Sequence, residues 1–74
     1  MPDAPRSCPE RQRLMGKVQQ HLIRIAELSH ATADAVANGN ENLVRDLEKL
    51  VENELGAKDR ALGALRQHRE GHGC

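Results

Sequence analysis

Ala37-Asn38-Gly39-Asn40-Glu41 is the stretch that decides the fold. Gly39 suits the left-handed residue that ends a helix, and Asn40 is a good N-cap for the next one. A connection of two or three residues makes the flanking helices antiparallel neighbours. Upstream, Leu14, Val18, Leu22, Ile25, Ser29, Thr32 and Val36 recur at helical spacing on one stripe, flanked by Met15, Ala26, Leu28 and Ala33. Downstream, a second stripe runs through Leu43, Leu47, Leu50, Val51, Glu54, Lys58, Ala61, Leu65 and His68 until Gly71 and Gly73 stop it. At the start, Ser7-Cys8-Pro9-Glu10 fits a capping box, with Pro9 in the first turn, where its missing N–H has no intrahelical partner. The expected fold is all-α: a two-helix antiparallel hairpin, coiled-coil-like, dimerising into a four-helix bundle. Its parts are a disordered arm over 1–7, helix 8–38, turn 39–40, helix 41–70 and a flexible Gly/Cys tail over 71–74.

Composition narrows the function classes. The 74 residues include no Phe, Tyr or Trp, so a core must come from aliphatic residues and Met, which favours helix packing over a sandwich or barrel. Eleven basic against eleven acidic side chains argue against a nucleic-acid binder, which carries a basic excess. No apolar run approaches the roughly 18 residues of a membrane span, and MPDAPRSCPE lacks a hydrophobic signal region. The cytoplasm is the expected location, with neither membrane nor nucleic acid as partner.

About the turn, residues whose numbers sum to about 79 lie at one level: Val36 with Leu43, Ile25 with Glu54, Leu14 with Leu65. Two helices cover only part of each other's apolar surface, so a second copy is the expected remedy. Charge adds an orientation. Residues 27–54 hold seven acidic and two basic side chains, whereas 1–26 hold five basic and two acidic and 55–74 four basic and two acidic. The turn end is therefore negative and the open end positive, which favours an antiparallel homodimer. The interface residues expected for such a dimer, or for a docked partner helix, are Leu14, Val18, Leu22, Ile25, Leu43, Leu47, Leu50 and Leu65. Glu54 and Lys58, one turn apart in the favourable order, are expected to form a partly solvated ion pair that fixes register and partner choice. His21 lies at their level, and a bound ion or proton-linked switch with Glu54 is the functional alternative. Gly16, Gly56 and Gly63 fall on the outer face with Ile23, where a further helix could approach closely.

Three constellations carry candidate chemistry. Glu27-Leu28-Ser29-His30 spells the E-x-x-H of di-iron bundles, but both ligand types lie off the apolar stripe and no second set completes them. The hairpin gathers Cys8, His68, His72 and Cys74 at its open end, a complete tetrahedral set for zinc. The same thiols are alternatively reduced, with solvated histidines, which is the reading taken first, or joined as a disulfide in an oxidising compartment. A Cys/His hydrolase lacks a positioned base and a water-excluding pocket on a two-helix rod, so no enzyme and no resident cofactor is expected.

The segment Ala61-Leu62-Gly63-Ala64-Leu65-Arg66-Gln67-His68-Arg69-Glu70-Gly71-His72-Gly73-Cys74 resembles the A-L-x3-H-x3-H-G-C tail of short bacterial helical-hairpin proteins, with two residues instead of three between Leu65 and His68. That resemblance implies no activity. The whole chain, with Glu54-x-x-x-Lys58 after its leucine-bearing second helix, also resembles the hairpin cores of flagellar and type III export chaperones. This implies a small cytosolic protein that covers a partner's amphipathic helix. The expected function is a non-enzymatic interaction module; the alternative is a small metal-binding or redox-responsive protein using the terminal Cys/His cluster.

Overall fold

The computed structural model describes residues 8–72. Two helices, α1 (Pro9–Ala37) and α2 (Glu41–His72), pack against each other as a hairpin rod of 58 × 17 × 11 Å. No strand occurs among the described residues. Residues 1–7, expected as an arm, and the tail residues Gly73 and Cys74 lie outside the described residues.

The turn forms for the reasons its residues suggest. Gly39 is at φ +70°, the only positive φ among the described residues. Its N–H donates to the Val36 carbonyl (3.0 Å) and the Asn40 N–H donates to the Ala35 carbonyl (2.9 Å), the paired bonds that close a helix end around a left-handed residue. Asn40 then caps α2: its Oδ1 accepts from the backbone N–H of Leu43 at 3.2 Å.

The other ends differ from expectation. Cys8, with extended backbone and no side-chain cap, is the N-cap of α1. Ser7, proposed above as the cap, lies outside the described residues. Glu10 is engaged within the helix, where Arg13 Nε donates to its Oε1 at 2.9 Å. The guanidinium holds the Glu10 carboxyl below its ordinary range. Helix α2 does not stop at residue 70 but runs through Gly71 to His72. A glycine weakens a helix by about 1 kcal/mol yet ends one only where the chain turns left-handed, and Gly71 does not.

The packed seam also departs from the expected stripes. In α1 it follows Leu14, Val18, His21, Ile25, Leu28, Thr32 and Ala35, and in α2 Val44, Leu47, Val51, Glu54, Lys58, Ala61, Leu65 and His68, all buried or half-buried. Leu28, Ala35 and Leu47 form the buried cluster, with Ala31, Val44 and Val51 against it. Leu22, Val36, Leu43 and Leu50, all placed on the stripes above, are exposed instead. The cause is the period. The observed seam alternates steps of three and four, a seven-residue repeat that keeps two helices in contact, whereas the expected α1 stripe advanced faster and rotated away. Near the turn Ala35 takes the place expected for Val36, and Val44 that of Leu43.

Candidate functional site

Two polar contacts interrupt the apolar seam. At mid-rod, His21 Nδ1 and Glu54 Oε1 are 2.7 Å apart, with side chains 30% and 27% exposed. A carboxylate only accepts, so the proton lies on Nδ1, which donates across the helix interface. Glu54 does not pair with Lys58 as expected. Lys58 Nζ instead meets Asp59 Oδ1 at 2.8 Å. The two residues four apart therefore point their charges to different partners, and the helix-to-helix contact belongs to His21.

At the open end, Cys8 Sγ lies 3.0 Å from His68 Nε2, a contact spanning 60 residues. Cys8 is disulfide-bonded, not a free thiol. Cys74, the only other cysteine of the chain, and the side chain of His72 lie outside the described residues. Cys8 therefore lies level with His68, whereas a sum of 79 would have set it beside Gly71, one turn later. Among the described residues no three His, Cys, Asp or Glu side chains are gathered closely enough to hold a metal ion.

The remaining candidates are surface groups. Glu27 pairs with Arg24 at 3.5 Å and His30 with Asp34 at 3.8 Å, so E-x-x-H sits in ordinary exposed pairs along α1. A methyl group at Gly16 or Gly63 would meet nothing within 4 Å, and at Gly56 only the end of Arg60 at 3.5 Å. Ile23, on that outer face, is about half exposed.

The expected interface residues divide into two groups. Leu14 and Leu47 are buried inside the hairpin, so they hold the two helices together. Val18, Ile25 and Leu65 are half-buried along the seam. Leu22, Leu43 and Leu50 remain open to solvent, as do Met15, Leu55 and Leu62. These exposed side chains flank the seam on both sides. Ser29, Thr32, Glu48, Val51 and Glu52 line a shallow groove on one flank. Leu14, Lys17, His21, Ala57, Arg60, Ala61 and Ala64 line one on the other. Met15 lies beside the seam as expected, whereas Leu22 was misread and Leu55 and Leu62 were missed because each lies one residue beyond a seam position, a distinction only the seven-residue repeat makes. Among the described residues no helix is long and apolar enough to cross a membrane.

The geometry therefore defines an all-helical hairpin with partly covered apolar flanks and one polar crossing at its middle. Searches against protein families, curated proteins and solved structures found no match to the chain.

Proposed function

We propose that the chain is a protein-interaction module without catalytic activity, working by packing a further helix or helix pair against its flanks. One observation carries this reading. Among the described residues, eight large apolar side chains are between 36% and 62% exposed, whereas the buried set is Leu14, Leu28, Ala35, Leu47 and Ala61. A hairpin that keeps more large apolar groups outside than inside gains most from a second layer. Helix-in-groove burial is the mechanism, with charge setting orientation and Glu54, His21 and Lys58 setting register. Self-association into a four-helix bundle is the finer form of the proposal. The resemblance to export chaperone hairpins points the same way.

Site-specific photocrosslinking in cells tests it. A photoreactive side chain at position 22 or 50 should give adducts, with a second copy or with another protein. The same group at Glu70, on the exposed polar surface, should give none. Adducts absent from both leucine positions, or equally frequent at position 70, reject the interaction reading.

The contact between Cys8 and His68 favours a second reading, a small metal-binding or redox-responsive protein using Cys8, His68, His72 and Cys74. Zinc requires thiolate sulfur, so the disulfide must first be reduced for the set to bind it. Native mass spectrometry with reductant, with and without zinc and chelator, decides. A one-zinc complex lost on chelation supports this reading, and an unchanged metal-free mass removes it.

A further inference from the structure

Helix α1 carries a second stripe, distinct from the seam that packs on α2. It runs from Gln12 to Val36 in steps of three and four, and all eight of its positions are exposed. None of the eight carries a charge, in a chain where 30% of residues do. Every charged residue of α1 lies elsewhere on the helix. At 1.5 Å per residue the stripe is about 36 Å long.

We propose that this stripe is the contact surface for a second copy of the chain, with the two α1 helices antiparallel about a two-fold axis at the level of residue 24. Two independent features fit that occupant. The first is shape. About this axis, residues whose numbers sum to 48 face each other across the copies: Leu22 meets Ala26, Met15 meets Ala33, Gln19 meets Ser29 and Gln12 meets Val36. In three of the four pairs a long unbranched or leucine side chain meets an alanine or a serine. Large against small lets helix axes approach within 8–10 Å without voids. Gln19 and Ser29 also supply a donor and an acceptor to each other in that arrangement.

The second feature is charge. The axis lies close to the boundary between the basic open half and the acidic turn half, which falls between residues 26 and 27 on α1 and between 54 and 55 on α2. The two-fold rotation therefore sets the basic half of one copy over the acidic half of the other. A parallel pairing would stack like on like. The contact is isologous and closes on itself as a dimer. Leu55 and Leu62 of α2 lie on the same flank as the stripe and extend the covered surface. The opposite flank offers no such seam, since Leu43 and Leu50 there alternate with Asp46 and Asn53 and are followed by Arg60.

This inference rests on the interaction reading and commits it to one partner and one face. The test uses the full-length chain and the variants Ala26→Glu and Leu22→Arg, both at exposed positions, with circular dichroism to confirm the helices. Sedimentation equilibrium should show a dimer for the unaltered chain and an at least tenfold weaker association for each variant alone. An equimolar mixture of the two should recover a mixed dimer by native mass spectrometry. In that dimer the introduced carboxylate at position 26 of one copy faces the introduced guanidinium at position 22 of the other, while the remaining Leu–Ala pair is intact. Leu50→Glu, on the opposite flank, should leave the dimer unaltered. A monomeric unaltered chain overturns the proposal. So does a dimer indifferent to both stripe variants, or a mixture that stays monomeric. Crosslinks from position 22 to another protein, beside a monomeric chain, would keep the interaction reading and remove only the dimer.

Discussion

At Gly39 the backbone turns left-handed, and a Cβ there is strained whatever space surrounds it. Gly39→Ala should therefore lower stability by about 1–2 kcal/mol. Gly16 and Gly63 are the opposite case. Both sit inside helices with nothing within 4 Å of an added methyl group, so alanine removes backbone freedom from the unfolded chain and meets no clash. Gly16→Ala and Gly63→Ala should each raise stability by about 0.5–1 kcal/mol, read as a higher urea midpoint at unchanged slope. The His21–Glu54 contact is a third residue-scale case. Its partners are partly solvated, so a double-mutant cycle with alanine should give a coupling of only about 0.5–1 kcal/mol. Glu54→Leu should then hold or raise stability while the oligomer becomes less uniform, because a polar group in a seam specifies register more than it stabilises. A Glu54→Leu protein with unchanged oligomeric order would remove that role.

The elements were legible in the sequence to different depths. Asn38-Gly39-Asn40 encoded the turn locally, through one left-handed residue and one cap, and no distant contact was needed to read it. The seam was less legible. Leu22 and Val36 are more hydrophobic than their neighbours His21 and Ala35, so hydropathy drew the α1 stripe towards them. Packing instead followed the seven-residue repeat, which admits His21 because Glu54 satisfies it from the facing helix. The Cys8–His68 contact was legible only as a shared end of the rod, since which turn of α2 meets Cys8 depends on the accumulated register. The first turn of α1 shows how such ends behave. Arg13 holds the Glu10 carboxyl below its ordinary range, so the pair contributes above that range and is lost as pH falls through the lowered value. Acidification below the ordinary carboxylate range should fray the first turn before the remainder of α1, seen as early loss of protection at the Gln12 and Arg13 amides. Protection that persists in this turn to the same pH as at mid-helix would show that the pair does not hold the end.

For the whole molecule, a formal charge of zero conceals a rod with a basic open end and an acidic turn end, and this sets the sign of a salt effect. The stripe from Gln12 to Val36 is uncharged, so its burial responds little to simple salt. In the proposed dimer the orientation of the two copies depends on charges flanking the stripe, which lie roughly one helix diameter apart across it, about 10 Å. The screening length falls from about 30 Å at 0.01 M salt to about 3 Å at 1 M, so these attractions act at the lower concentration and are extinguished at the higher. An antiparallel dimer should therefore dissociate several-fold more readily as sodium chloride rises across that range, measured by sedimentation equilibrium. A parallel dimer must behave in the opposite sense, because screening relieves the repulsion of like ends and tightens it. The sign of the slope thus reports orientation independently of any substitution. A slope near zero would mean that the uncharged stripe holds the copies together while the separated charges of the rod serve only to keep it in water.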